Sequence, residues 1–215
     1  MIKKEVFFMA TNVHASDVTL NELKSKFNLE LVRDNKNFFP EWQTDLPEIT
    51  EVEKQVLDDV QTGYFNLIGY PSLVENLVQL SVLAPLLQLA GFFLHPLWIK
   101  SESSINIQSE DEEMTIEGKI DILVLKEQLW VLVIESKRAE LSIKVGLAQI
   151  LAYMLATPHH KPCFGLITNG GSFVFLKLVK NGTPQYSMSQ VFDLVNPGND
   201  LYSVLGILKK ISQLS

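Results

Sequence analysis

The chain has 215 residues, which suits one domain with a buried core of its own, and 47% hydrophobic with 20% charged residues excludes disorder over most of that length. A single cysteine, Cys163, excludes an intrachain disulfide and a cysteine-rich metal site. The formal net charge of −7 argues against a protein whose main task is to hold nucleic acid. That charge is uneven: residues 1–63 carry −5, residues 64–117 carry −6, and residues 118–215 carry +4. Lone-cysteine usage fits a reducing, cytoplasmic setting. The apolar run after Lys3 and Lys4 is too short for a signal peptide.

Residues 1–47 hold no period for long. Phe7, Phe8, Phe38, Phe39 and Trp42 suggest some packing, and Pro40 and Pro47 punctuate the end. The segment reads as an N-terminal appendage, leaving residues 48–215 as the main domain. Thr50, with Glu53 three residues on, has the form of a capping box. Val52, Val56, Leu57 and Val60 then fall at helical spacing, and Gly63 is the expected stop. Residues 76–99 contain no charged side chain. Gln79, Ser81, Pro85, Gln88, His95 and Pro96 argue against a membrane span there, so a buried helix is expected instead. Its core stripe would be Leu77, Leu80, Leu83, Leu87 and Ala90, ending at Gly91. Pro71 or Ser72 would begin it, which places Glu75 in its first turn.

Residues 101–117 are acidic, and read as a solvated loop or an edge hairpin. From Gly118 the pattern sharpens. Ile120–Leu125 and Leu129–Lys137 are strands joined by the polar turn Lys126-Glu127-Gln128, which makes a hairpin. A helix is predicted over 139–156, then strands at Cys163–Thr168 and Ser172–Val179 around the turn Asn169-Gly170-Gly171. A last helix covers about Asp200–Ile211. This order predicts an α/β fold, a central mixed β-sheet flanked by helices.

Two charged residues interrupt the apolar strand that ends the hairpin. Glu135 and Lys137 are two apart and share a face, with Val131 and Val133 before them. A carboxylate and an ammonium at the end of a buried strand are costly unless paired or bound to something. Asp121 and Glu135 are roughly symmetric about the middle of the turn, so an antiparallel hairpin is expected to bring the three close. Two carboxylates there make a hard, oxygen-rich site of the kind Mg²⁺ takes, with Mn²⁺ as the alternative ion. Such an ion stabilises charge on a phosphodiester and acidifies a bound water, and the lysine beside it can orient that water. The plain alternative is an ordinary ion pair at a sheet end.

The residues Gly118-Lys119-Ile120-Asp121 followed by Val133-Ile134-Glu135-Ser136-Lys137 resemble the PD-(D/E)xK nuclease signature. Ile120 stands where the signature name has proline. Gln149 and Tyr153, one helical turn apart, are similar to the Gln-xxx-Tyr element of the RecB-like and type I restriction subsets. Phe164-Gly165-Leu166-Ile167-Thr168-Asn169-Gly170 is similar to the N-terminal region of type I restriction R subunits. The resemblance implies a restriction-endonuclease-like core, a metal-dependent nuclease activity on DNA, and roles for particular residues. Asp121 and Glu135 would hold the ion, with Glu75 from the upstream helix as a further ligand. Lys137 would act on the attacking water. Gln149 and Tyr153 would steady the site, and Arg138, Lys144, Lys119 and Lys161 are candidates for phosphate contacts. The rival expectation is a non-cleaving module that keeps the fold and works with a protein partner or a second copy. His159 and His160 read as loop residues, Cys163 as a buried structural thiol, and Ser136 as pointing away from its two charged neighbours. There is no glycine-rich phosphate loop with a lysine, so no ATP site is expected.

Overall fold

The computed structural model describes residues 11–69, 75–109, 111, 113–137 and 146–214. The described residues begin with a strand of the sheet. Strand β1 (Thr11–His14) leads to helix α1 (Leu20–Lys26), which Thr19 and Glu22 cap reciprocally, and then to β2 (Glu30–Leu31). β1 lies parallel to the later strand Met114–Lys126, and β2 parallel to Gln185–Met188. Phe39, just before a 3₁₀ turn at Pro40–Trp42, is buried in the core. Glu41 in that turn forms a 2.6 Å ion pair with Lys177 of a central strand. Residues 11–47 therefore belong to the same packing unit as the rest, although their sequence reads as an appendage. The reason is that very short strands carry too few residues to show a period, yet still satisfy backbone groups at a sheet margin.

Helix α2 (Glu51–Ile68) begins as expected. Thr50 Oγ1 accepts from the Glu53 backbone N–H, and Glu53 Oε2 accepts from the Thr50 N–H at 2.8 Å. The helix runs through Gly63 to Ile68. Its buried residues are Leu57, Val60 and Tyr64, while Val52 and Val56 face outward. One glycine costs a helix about 1 kcal/mol, and the buried stripe of Leu57, Val60 and Tyr64 carries the helix through it.

The uncharged stretch is helical in three pieces: α3 (Glu75–Val78), a π turn over Gln79–Leu83, and α4 (Ala84–Leu89). A π turn holds more residues than an α turn and shifts the phase of the apolar stripe. Leu83, Leu87 and Ala90 are buried as expected, but Leu80 is 71% exposed. Gly91, at φ +81, ends the run. Among the described residues no helix is long and apolar enough to cross a membrane.

Strands β3 (Leu97–Gln108), β4 (Met114–Lys126) and β5 (Leu129–Ser136) form an antiparallel meander. The acidic segment is thus the margin of a sheet rather than a loop. Helix α5 (Leu147–Leu155) crosses over to β6 (Cys163–Thr168), which lies parallel to β5. Then β7 (Ser172–Val179), β8 (Gln185–Met188) and β9 (Phe192–Asp193) add antiparallel pairs, and α6 (Leu201–Leu214) ends the fold.

The spatial order is β1-β4-β5-β6-β7-β8-β2, with β3 also on β4 and β9 on β7. The protein is therefore α/β with a central mixed sheet, as the sequence predicts. One face packs on α2, α4 and α6 through Leu57, Val60, Leu86, Leu87, Val204 and Leu208. The other packs on α1 and α5 through Leu23, Ile150, Leu151 and Tyr153. Burial of both faces explains why β6 reads as an unbroken apolar run.

Candidate functional site

The site forms where β4 and β5 stop pairing. Their last backbone pair toward this end is Ile122 with Ile134. One step further along, Asp121 is level with Glu135. The backbone ladder has ended there, and the Asp121 carboxylate takes over its role. Asp121 Oδ2 accepts from the Ser136 backbone N–H at 2.8 Å and from Ser136 Oγ at 3.0 Å. On the other side, β5 stays zipped to β6 as far as Lys137, whose N–H donates to the Thr168 carbonyl at 2.8 Å. The strand end is thus held from both sides.

Glu135 follows Val133 onto the α5 face, and its side chain is only 2% exposed. Val131, expected on that face, lies on the opposite one. The register shifts between Val124, which pairs with Leu132, and Leu125, which pairs with Trp130. The bulged residue breaks the two-residue alternation. Lys137 Nζ sits 2.5 Å from Glu135 Oε1 and donates to Gln149 Oε1 at 2.8 Å. Gln149 Nε2 then donates to the Tyr153 hydroxyl at 2.8 Å. Carboxylate, ammonium, amide and phenol thus form one line of polar groups from strand to helix. Gln149 and Tyr153 reach it because residues four apart share a helix face.

Two glycines make room for this arrangement. A Cβ on Gly146, at the start of α5, would lie 3.2 Å from Lys137 Cε and 3.6 Å from Glu135 Cγ. A Cβ on Gly118 would lie 2.9 Å from Tyr153 Cε1 and 2.8 Å from Ala15 Cβ. The glycine that opens the Gly118–Asp121 motif is therefore the seat of the tyrosine ring.

The electrostatics follow the burial. Desolvation pushes the Asp121 carboxyl above its ordinary range. The two Ser136 hydrogen bonds and the nearby Lys137 ammonium pull against that push, and the Glu102 carboxylate adds to it. Burial pushes the Tyr153 phenol up to about 12, against the Gln149 hydrogen bond and helped by the fields of Glu135 and Asp121. Tyr153 is thus a neutral hydroxyl throughout the physiological range.

The structure brings together Asp121, Glu135, Lys137, Gln149 and Tyr153. Glu75 is the first residue of α3, and its side chain lies outside the described residues. Arg138 and Lys144 lie outside the described residues, as do Pro71 and Ser72. Lys119 is exposed on β4, two residues from Asp121. Lys161 does not join the others. It precedes β6, and because β5 and β6 are parallel it lies at the opposite end of that pair, near Leu129 and Trp130.

Three contributors are not apparent from the residue pattern. Ser136 does point away from Glu135, but it positions Asp121 with both its N–H and its hydroxyl. Gln79 donates to Ser136 Oγ at 2.6 Å and ties the π turn to the site. A polar side chain within an uncharged helical stretch was its only signal. Glu102 acts on Asp121 from the neighbouring strand and has a left-handed backbone, φ +51. The remaining candidates are structural. Cys163 is buried, with its thiol pushed up to about 12, and His159 and His160 contact the backbone carbonyls of Gln128 and Lys180.

The donor set suits a hard dication. Asp121 and Glu135 supply carboxylate oxygens, and both hydrogen bonds to Asp121 fall on Oδ2. Among the described residues, no three or more His, Cys, Asp or Glu side chains are grouped to share an ion. Two carboxylates match the ion that keeps most of its waters, and do not match one that needs a full protein cage. Compared with models of protein families the chain matches none, and a search of curated proteins also finds no match.

Proposed function

We propose that this protein is a metal-dependent nuclease that hydrolyses DNA phosphodiester bonds, with a restriction-endonuclease-like core related to type I restriction R-subunit nuclease domains. The observation that carries the reading is the placement of Asp121, Glu135 and Lys137 at one parting of two strands, backed by Gln149 and Tyr153 on the crossover helix. Asp121 and Glu135 would hold Mg²⁺ or Mn²⁺, with Glu75 as a further ligand. The ion's chemistry would be to stabilise negative charge on the phosphodiester and to acidify a water.

The protein's own residues have separable roles. Ser136 orients Asp121. Lys137 donates protons to Glu135 and Gln149 in the resting site, and its third proton is available to direct a water toward phosphorus. Gln149 keeps Lys137 aimed at the carboxylates, and Tyr153 anchors Gln149. Arg138 and Lys144 are proposed as phosphate contacts.

The test is cleavage of plasmid and linear DNA by the full chain with Mg²⁺ or Mn²⁺. The wild type is compared with Asp121→Asn and with the charge-free pair Glu135→Gln and Lys137→Met. Cutting by the wild type alone supports the reading. Equal traces in all samples, together with no cation binding by calorimetry in the presence of DNA, would overturn it. That outcome would favour a non-catalytic module acting with a protein partner or a second copy, a reading the acidic residues before 118 support.

A further inference from the structure

The two oxygens of Asp121 have unlike surroundings. Oδ2 accepts twice from Ser136, from the backbone N–H at 2.8 Å and from the hydroxyl at 3.0 Å. Two donors fill the two lone-pair directions of one carboxylate oxygen. Oδ1 accepts from no described residue and is not sealed from solvent. Glu135 also has one oxygen engaged, since its Oε1 lies 2.5 Å from Lys137 Nζ.

The hydroxyl that holds Oδ2 is itself held. Ser136 is fully buried, and Gln79 Nε2, from the first residue of the π turn, donates to its Oγ at 2.6 Å. An ionised carboxylate has no proton to give, so the hydroxyl is the donor toward Asp121, and the amide end that faces Ser136 is the NH₂. Gln79, Ser136 and Asp121 thus form a chain of hydrogen bonds running in one direction, and each bond in such a chain strengthens the next.

We propose that Ser136 and Gln79 set the ion preference of the site, because they let Asp121 offer an ion one oxygen rather than two. The inference rests on the metal part of the nuclease reading. Mg²⁺ is small and octahedral, keeps several of its waters and is satisfied by single carboxylate oxygens. Ca²⁺ is larger, gathers about six to eight oxygens and commonly grips a carboxylate by both of its own. To give Oδ2 to a Ca²⁺ the protein would have to break the Ser136 bonds and leave buried donors without an acceptor. The arrangement therefore works against Ca²⁺ and leaves Mg²⁺ and Mn²⁺ unhindered. Neither Ser136 nor Gln79 meets the ion; both are positioning residues that act through Asp121, from outside the ion's own ligands.

The experiment titrates the full chain calorimetrically with Mg²⁺, Mn²⁺ and Ca²⁺, without DNA and with it. Wild type is compared with Ser136→Ala, Gln79→Met and the double variant, each checked for folding by thermal melting. Ser136→Ala is expected to shift the ratio of Ca²⁺ to Mg²⁺ affinity about tenfold toward Ca²⁺. Gln79→Met keeps the bulk of the side chain and removes the donor. It should shift the ratio in the same direction by a smaller factor, and it carries the test if Ser136→Ala does not fold. The double variant should match Ser136→Ala, because Gln79 acts through the hydroxyl. A purely structural support would weaken all three ions by one common factor. That result, or an unchanged ratio, would overturn the proposal while leaving the metal reading intact. Effects that add in full in the double variant would overturn the role given to Gln79. No binding of any ion by the wild type, with or without DNA, would instead remove the metal reading, and this inference with it.

Discussion

Replacing Lys137 with methionine separates what this lysine does for folding from what it does for chemistry. Glu135 is 2% exposed and Lys137 15% exposed, so the pair is largely out of water. Removing the cation leaves a desolvated carboxylate, an outcome that costs about 3–5 kcal/mol. For a chain of this size, 1 kcal/mol moves Tm by about 2–4 °C, so Lys137→Met should melt about 6–20 °C below wild type. Glu135→Gln should cost less, because the remaining ammonium keeps Gln149 Oε1 and reaches water more readily. The double variant removes both charges and should regain most of the loss, with a coupling of about 2–4 kcal/mol between the sites. Urea denaturation of the four proteins measures this coupling. A coupling under about 0.5 kcal/mol, within the range of exposed pairs, would refute the claim that the pair is held dry. Under the nuclease reading all three variants are inactive, so the folded double variant is the cleanest inactive control.

Asp121→Asn should raise stability at neutral pH, since burial makes the ionised carboxylate costly in the folded protein. A carboxyl raised in the folded state contributes stability below its unfolded pKa and loses it as pH rises through the folded one. The gain should therefore fade on acidification to about pH 4 and below, and a gain that grows with acid would contradict this sign. Gly118→Ala forces a methyl against Ala15 and Tyr153, and should cost about 1–3 kcal/mol and impair the site. Unchanged Tm would show that the tyrosine ring is not seated there. Cys163 should resist alkylating reagents at neutral pH in the folded protein and react once urea unfolds it; rapid native labelling would contradict its burial. Removing residues 1–47 takes away Leu23, Phe39 and the partner of Lys177, so the truncated chain should lose its cooperative melt. A normal melt would restore the view of that segment as an appendage.

The parts legible from residue order are those with local causes. The capping box at Thr50, the hairpin around Lys126–Gln128, the turn at Asn169 and the Gln149–Tyr153 pairing depend on neighbours within a few positions. All appear in the structure where the spacing puts them. Unbroken pairing from Lys126–Leu129 would set Asp121 opposite Ile134, and the one-residue bulge at Val131 is what brings it level with Glu135. Residue order misleads where a regular period runs into an irregularity. The bulge opposite Val124 moved Val131 to the other face, and the π turn rotated Leu80 outward. Neither defect has a residue signature, because each costs little locally and is set by what must be packed on both sides.

The sequence by itself thus determined the α/β class, the mixed sheet and the grouping of Asp121, Glu135 and Lys137 at its parting strands with Gln149 and Tyr153 on one helix face, since backbone propensity and two-residue or four-residue spacing act over short range. Only tertiary structure decided the rest. Ser136 and Gln79 became part of the site because a sheet end and a distant helix meet there, and a hydrogen bond across 57 positions leaves no local trace. Lys161 fell away because two parallel strands put their starts together, at the end remote from Glu135. Residues 11–47 joined the core because a sheet margin needs backbone partners, and two- or four-residue strands can supply them without any pattern of their own.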